Sequence, residues 1–376
     1  MRKTFKYRIW PTKRQENLLN QQFEDCRWLY NHWLNERKTC YEQSGKAPRL
    51  YDQLGELPSL KFVRLSLNSV HSQVLQNVGV RLDLAMQAFF RRVKSGEKEL
   101  GYPRFKGFGR YDSITFPQAP SGVSLSGNVL IVSKIGHIKV ELHRPIKGKP
   151  KTVTLTRSAT GKWYVCFSCE GATPEVLPTN PTQVGIDVGL KTFATLSDGQ
   201  EIANPRFFRE EEKALAKAQR TLSKAPKGTP ERRKKRKVVA RVHERTLWRR
   251  TNFSHQHSRK VINQFGVIAV EDLNVNRMLH NHCLAKSISD AAWSSFFSML
   301  SCKAEEAGRT LLKVNPAYTS QTCSKCGHRQ PMPLNQRIFN CPDCLLQLDR
   351  DLNASLNILA LGLQRLGESP VEATPL

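Results

Sequence analysis

Three features of this 376-residue sequence predict a multidomain fold, part all-β and part α/β. Period-two strand patterns fill residues 113 to 170. From residue 183, strands give way to alternating helix and strand, the mark of an α/β layer with a mixed sheet. Near the C-terminus, four cysteines have the spacing of a metal staple. At about 100–200 residues per domain, the length implies two or three domains. The 39% hydrophobic content is enough for packed cores.

FKYRIW reads as a first strand that can join the later β unit, and Pro11 ends it. Thr12 and Gln15 form a capping box. Leu19, Phe23, Cys26, Tyr30 and Trp33 then share one helical face. A second helical stripe holds Val70, Val74, Val78, Leu82, Ala85, Phe89 and Val93, with a loop around Gly45, Pro48, Gly55 and Pro58 before it. Residues 12 to 95 are thus a small helical module. SITF, VSLSGNVLIV, HIKVEL, KTVTLTRS and KWYVCFSCE follow as strands, and residues 178 to 181 read as a linker. The third region predicts three strands in QVGIDVGLKTFATLSDGQEI, with Asp198-Gly199 as a hairpin turn. A long basic helical stretch runs to about 264, followed by the strand VIAVED, a helix around 287–307, the strand TLLKVN, the cysteine region and a last helix. GESPVEATPL reads as a disordered tail.

Lys and Arg total 59 against 32 Asp and Glu, a net charge of +27. Such an excess points to a polyanionic partner, since each neutralised phosphate releases a counterion. No apolar run approaches the roughly 18 residues of a spanning helix, and MRKTFKYRIW lacks the apolar stretch of a signal peptide. The expectation is an intracellular protein with no membrane partner. Disulfides are rare there, so the ten cysteines are read as metal ligands or core residues.

Cys323, Cys326, Cys341 and Cys344 form C-x2-C-x14-C-x2-C, which suits one tetrahedral structural zinc. Lys325, His328, Arg329 and Arg337 suggest that this loop faces phosphate. Cys166 and Cys169 repeat the C-x2-C spacing within a strand pattern, where an offset of three sends them to opposite faces. They, with Cys26, Cys40, Cys283 and Cys302, are read as packing residues rather than ligands.

Three carboxylates stand out. Asp187 interrupts the apolar strand GIDVG, and a buried carboxylate is costly without a partner or metal. Glu271 ends the apolar run GVIAVE, at the carboxyl edge where open α/β sheets place their sites. Asp351 starts the last helix, read as its N-cap, with Leu352, Leu356, Leu359 and Leu363 as the buried stripe. Asp349 and Asp272 are alternative capping or site residues. Oxygen ligands of this kind bind Mg²⁺ or Mn²⁺, and paired ions can drive phosphodiester hydrolysis. G-x-x-x-x-G-K-[ST], G-x-S-x-G and H-E-x-x-H motifs are all absent.

GIDVGLKTFATLSDG, VEDLNVNRM, SISDAAWSSF, NPAYTSQTCSKCG and LDRDLNASLNIL, in this order, resemble the TnpB proteins of insertion sequences. RWLYNHWLNER and YPRFKGFGRYDSITFP extend the likeness over nearly the whole chain. The resemblance implies an RNA-guided DNA endonuclease. It implies a β-barrel wedge domain (1–11 and 96–178) carrying the helical recognition module (12–95), and an RNase H-like RuvC nuclease domain (179–314 and 346–365) holding a zinc ribbon (315–345), with a tail from 366. Asp187, Glu271 and Asp351 match the family's catalytic acids. Asp351 is preferred to Asp349 because it stands immediately before Leu352-Asn353-Ala354. The four cysteines match its zinc ligands, except that Leu345 replaces the glycine usual after the second pair, where a left-handed turn costs more. The implied partners are a non-coding guide RNA from the transposon end and target double-stranded DNA beside a short adjacent motif. Tyr51 and Gln76 fall where the family reads that motif, and glutamine can bond an adenine edge. One protein copy per ribonucleoprotein, in a prokaryotic cytoplasm at the nucleoid, is the corresponding expectation.

ERRKKRKVVARVHERTLWRR predicts a helix that buries Val238, Val239, Val242 and Leu247 and turns Arg232, Arg233, Lys235 and Arg236 towards nucleic acid. YPRFKGFGR, with Arg104 and Lys106, mixes cations and aromatics as phosphate-binding or stacking surfaces do. An unguided DNA resolvase or transposase and a nuclease-dead guided repressor are the competing readings; retention of all three acids opposes the latter.

Overall fold

The structure, a computed structural model, describes residues 2–97, 100–333 and 335–367. The chain divides into two compact units, Met1–Thr173 and Pro174–Leu376.

The first unit is an antiparallel sheet with a helical insertion. β1 (Lys3–Trp10) leads to α1 (Lys13–Ser44), α2 (Leu50–Gly55), α3 (Leu57–Val63), a 3-10 turn (Leu65–Ser69) and α4 (Ser72–Lys94). β2 (Ser113–Phe116), β3 (Val123–Ser126), β4 (Val129–Val132), β5 (Gly136–Glu141), β6 (Lys149–Arg157) and β7 (Trp163–Glu170) complete the sheet, in the order β2-β6-β7-β1-β5-β4-β3. β1 lies at its centre, in register with β7 from Lys3–Cys169 to Ile9–Trp163. The capping box forms as expected: Gln15 N donates to Thr12 Oγ1 and Thr12 N to Gln15 Oε1. All five residues of the first helical stripe are buried. Of the second stripe Val70, Val74, Val78 and Leu82 are buried, joined by Leu75 and Met86, while Ala85 and Phe89 are half-buried and Val93 is exposed. The expected loop between these helices contains α2 and α3. Their sequences are too short to show a period, and Gln53 holds α2 in place by donating to the Trp33 carbonyl and accepting from Arg37. Cys166 and Cys169 face opposite ways along β7.

The second unit builds β8 (Gln183–Val188), β9 (Thr192–Leu196), β10 (Glu201–Ala203), α5 (Phe207–Ser223), α6 (Pro230–Gln264), β11 (Val267–Glu271), α7 (Val275–Met278), α8 (Ala285–Ala291), α9 (Trp293–Ala307) and β12 (Thr310–Val314). The sheet order is β10-β9-β8-β11-β12, with β8, β11 and β12 mutually parallel and β9 and β10 antiparallel to their neighbours. By chain order that is 3-2-1-4-5. A short hairpin, β13 (Ile338–Asn340) with β14 (Gln347–Asp349), precedes α10 (Arg350–Leu366). Residues 178–181 are not a free linker. Asn180 Nδ2 donates to the Gln264 carbonyl, Leu177 N donates to the Ala307 carbonyl, and Leu177 packs on the core, so the unit begins before them. The basic stretch is two helices split by residues 224–229, and the helix expected at 287–307 breaks at Ala292, which has φ 56°. In α6, Val242 is buried but Val238 and Leu247 are exposed, because Thr246, Ser254 and Ser258 continue the inward face. Cys283 and Cys302 are exposed, not packing residues. Of the tail expected from 366, Leu366 is helical and Gly367 caps α10; residues 368–376 lie outside the described residues. Among the described residues no helix is long and apolar enough to cross a membrane.

Candidate active site and cysteine ribbon

Three acids far apart in sequence meet because α10 lies unusually close to the sheet. A Cβ added at Gly185 of β8 would stand 2.7 Å from Leu359 N and closer still to the Ser355 carbonyl oxygen. One added at Gly362 would stand 2.7 Å from the Ala269 Cβ of β11. Gly185 and Ala269 are register partners, so both present this face to α10. Residues two apart on a strand share a face, which puts Asp187 and Glu271 on it too. From Gly185 to Asp187 the strand advances about 6.6 Å. From Ser355 back to Asp351 the helix retreats about 6 Å. The N-terminus of α10 therefore overhangs Asp187, while one step past the Ile186–Val270 register brings Glu271 beside it.

The electrostatics agree with this placement. Burial and the nearby Glu271 and Asp351 charges push the Asp187 carboxyl well above the usual carboxylate range, against a smaller opposing pull from Arg350. The residue keeps a window to solvent while other atoms crowd its carboxyl. Burial also raises Glu271, in part offset by Thr319, whose hydroxyl donates to Glu271 Oε1 at 2.7 Å. Arg350 donates through Nε and Nη2 to Asp351 Oδ1, and Arg337 lies 3.8 Å from Asp351 Oδ2.

Asp351 is not the N-cap. Asp349 is, accepting from Asp351 N and Leu352 N at 2.8 and 3.2 Å. Capping engages Asp349 Oδ1, whereas the Asp351 carboxylate, in the first helical turn, pairs with Arg350 and lies near enough to Asp187 to raise it. Of the four predicted stripe leucines on α10, only Leu363 is buried, and Leu352, Leu356 and Leu359 are half-buried. Ala354, Ser355, Ile358 and Gly362 complete the inward face, with Gly362 closest to the sheet, where an added Cβ would clash.

Cys323, Cys326, Cys341 and Cys344 come together, with all four sulfurs within 4.8 Å of one another. Among the described residues they are the one group of three or more potential ligands packed this tightly. The Cys323–Cys344 and Cys326–Cys341 separations are 3.5 and 3.4 Å, near the roughly 3.8 Å edge of a tetrahedron with 2.3 Å metal–sulfur bonds. Gly327 follows the first pair at φ 79° and Leu345 the second at φ 57°, so the two turns match despite the missing glycine. His328 pairs with Asp343, Arg329 stacks over Tyr318, and Arg337 turns towards Asp351. Of the four basic residues expected to face phosphate, Lys325 is exposed with its side chain outside these pairs.

Sequence reasoning missed the links between ribbon and acids. Asn353 Nδ2 donates to the Thr322 carbonyl while its Oδ1 accepts from Ser324 N. Asn357 Nδ2 donates to the Thr319 and Thr322 carbonyls. Two buried asparagines four apart on an apolar helix were the available signal.

The remaining candidates belong to other segments of the chain. Tyr51 on α2 and Gln76 on α4 are exposed, as are Arg104 and Lys106. Arg233 and Arg236 are exposed on α6. Arg232 instead donates to the Leu222 and Ala225 carbonyls and closes the turn between α5 and α6, and Lys235 pairs with Glu231.

Comparison with known proteins matches three family profiles: "Helix-turn-helix domain" over residues 1–46, "Probable transposase" over 165–282 and "Cas12f1-like, TNB domain" over 293–358. In the first range the described residues form a strand and one continuous helix. A Streptomyces pristinaespiralis protein named "Putative RNA-guided DNA endonuclease" is 35% identical over 96% of this chain and 90% of its own length. The Escherichia coli K12 protein "Putative RNA-guided DNA endonuclease InsQ" is 29% identical over 95% and 92%. The fold is shared with Cas12f1 in its complex with guide RNA and target DNA, at TM-score 0.55 and 15% identity over 92% of this chain and 83% of that one. With such identity along nearly the full length of a relative, and with the ordered motifs in place, the chain belongs to the TnpB family.

Proposed function

We propose that the chain is an RNA-guided DNA endonuclease that cuts with a single RuvC-like site, formed by Asp187, Glu271 and Asp351. The observation that carries this is the convergence of β8, β11 and the start of α10 on one face, where burial and the two carboxylates of Glu271 and Asp351 raise the charge cost of Asp187. The 3-2-1-4-5 order of the sheet supports assignment to the RNase H-like class. The names and guide-RNA complex of the relatives support the guided reading.

Hard oxygen donors under mutual repulsion fit Mg²⁺ or Mn²⁺. Such ions, when bound, supply Lewis-acid catalysis of phosphodiester hydrolysis. The chain's own residues prepare the site. Thr319 fixes the rotation of Glu271, Asp349 holds the helix start from which Asp351 projects, and Arg350 and Arg337 place positive charge beside it. The cysteine geometry fits zinc in a closed, structural site that stabilises the ribbon and performs no chemistry. The first unit is assigned as wedge and recognition module. Tyr51 and Gln76 are placed at the target-adjacent motif, and Arg104, Lys106, Arg233 and Arg236 at nucleic-acid backbone.

The test is to sequence RNA co-purified with the protein when it is expressed with its native downstream DNA, then to reprogramme that RNA. One abundant RNA of defined 5′ end, running into flanking sequence and directing cleavage to a matching target, is expected. Heterogeneous host RNA removable by salt, with cutting of structured DNA alone, would replace the guided reading with an unguided nuclease.

A further inference from the structure

The segment returning from α4 to β2 is held by its backbone and leaves most of its side chains outside, with Tyr111 buried at its end. From Tyr102 to Tyr111 it reads YPRFKGFGRY, three cations and no acid. One face of α1 anchors it. Asn31 clamps the Lys106 peptide, accepting from its N at 2.7 Å and donating to its carbonyl at 2.9 Å. Arg27 donates to the same carbonyl, and Glu24 accepts from Gly109 N. Three side chains at positions 24, 27 and 31 thus hold the loop, and Glu24 and Arg27 also pair with each other. Nevertheless Phe105 is 52% exposed and Phe108 82% exposed. Arg104, Lys106 and Arg110 are exposed between and beside them. Behind the loop lies a cavity of about 210 Å³ lined by Tyr30, Arg81, Lys106, Arg110 and Tyr111 among others. Lys106 Nζ sits 5.4 Å from the Tyr30 ring centroid.

Folding uses the backbone of this loop and leaves its two phenylalanines unused. An anchored loop that alternates exposed rings with cations suits a strand of nucleic acid whose bases are unpaired. Bases in a duplex are already stacked and cannot present a face to a phenylalanine, whereas splayed bases stack on aromatic side chains while cations track the phosphates. We infer that Phe105 and Phe108 form a stacking platform for unpaired nucleotides, with Arg104, Lys106 and Arg110 holding the adjoining phosphates. This rests on the nucleic-acid-binding part of the function proposed above and is independent of the three acids.

The experiment uses the full-length chain without added Mg²⁺ and three fluorescent probes: a 12-nucleotide oligo(U), the matching oligo(dT) and a 20-base-pair DNA duplex. Affinities are compared for the parent, Phe105→Ala/Phe108→Ala and Phe108→Trp. The double variant should lose roughly fivefold or more for each stacked base on the single strands and stay within twofold on the duplex. The tryptophan variant should keep single-strand affinity, and its fluorescence should be quenched by the strand. Quenching by oligo(U) alone would name RNA as the occupant, and by oligo(dT) alone DNA. Equal losses on duplex and single strands, or no loss on either, would overturn the platform. An Asp187→Asn chain that stops cutting yet shows the same single-strand affinities would separate this result from that of the active-site assignment.

Discussion

Replacing Gly185 by alanine should displace the last helix and with it one of the three acids. The added Cβ would sit 2.7 Å from Leu359 N, against an ordinary contact that begins at 3.4 Å. Relief therefore requires at least 0.7 Å of separation at that atom, the difference of those two distances, and more at the Ser355 carbonyl. Both obstacles are helix backbone, so no rotamer change can absorb the clash. Overpacking of this kind costs about 1–3 kcal/mol. For a unit of 203 residues (174 to 376), about 2–4 °C is lost per kcal/mol, so the melting temperature should fall by about 2–12 °C. The same shift carries Asp351 away from Asp187, and a misplacement near 1 Å can cost about 100-fold in rate. The assay is guide-directed cleavage under single-turnover conditions, run below the variant's melting temperature beside a differential scanning melt. Gly55→Ala, where an added Cβ meets nothing within 4 Å, is the control. A Gly185→Ala protein that melts and cuts like its parent would refute the close-packing account of the site.

Three further outcomes follow from the same geometry. Because the Asp187 carboxyl is raised in the folded state, the folded chain binds more protons than the unfolded one, and stability falls as pH rises from about 4 through the folded-state value. Asp187→Asn should therefore melt higher than its parent at pH 7.5 without divalent ions, by about 0.5–2 kcal/mol, should lose this advantage near pH 4, and should not cut; an equal advantage at both pH values would contradict the charge argument. Asp349→Ala should cost about 1 kcal/mol in chemical denaturation through the lost cap and keep most cutting, whereas Asp351→Asn should abolish cutting with little change in stability, and the reverse pattern would exchange their roles. Leu345→Gly should stabilise the ribbon by about 1 kcal/mol, since a left-handed backbone penalises Leu345 while its exposed side chain packs on nothing; slower release of metal to a chelator measures this, and faster release would count against it.

The features legible in the sequence were those governed by local rules. The capping box at Thr12, the alternation that placed Cys166 and Cys169 on opposite faces, and the paired cysteine spacings each depend on a few neighbouring residues. The strand positions of Asp187 and Glu271 were equally local. Errors arose where a distant element made the choice. A leucine stripe on α10 is the natural reading of Leu352, Leu356, Leu359 and Leu363, but only Leu363 is buried, because the close approach to Gly185 and Ala269 on the sheet turns the face with Ala354, Ser355 and Gly362 inward. Val238 and Leu247 looked like core, yet the polar Thr246, Ser254 and Ser258 face inward on α6. Asp349 and Asp351 both looked like caps, and the hydrogen bonds from Asp351 N and Leu352 N separate them.

The arrangement explains why a cysteine ribbon belongs beside paired aspartates. Glu271 precedes Asp351 by 80 residues and follows Asp187 by 84 (271 to 351 and 187 to 271), so chain proximity cannot set their spacing. The sheet register fixes Asp187 against Glu271, which leaves α10 as the variable element. Along its inner face, Gly185 and Gly362 set its height above the sheet. At its start, Asn353 and Asn357 peg it to the Thr319–Ser324 segment that enters the first cysteine pair. Thr319, in that same segment, hydrogen-bonds Glu271. Through Thr319, Thr322 and Ser324 the segment thus touches both the strand acid and the helix that carries the third acid. Its cysteines need no chemistry of their own to matter to the site: the segment that enters them makes the hydrogen bonds that reach Glu271 and the helix carrying Asp351.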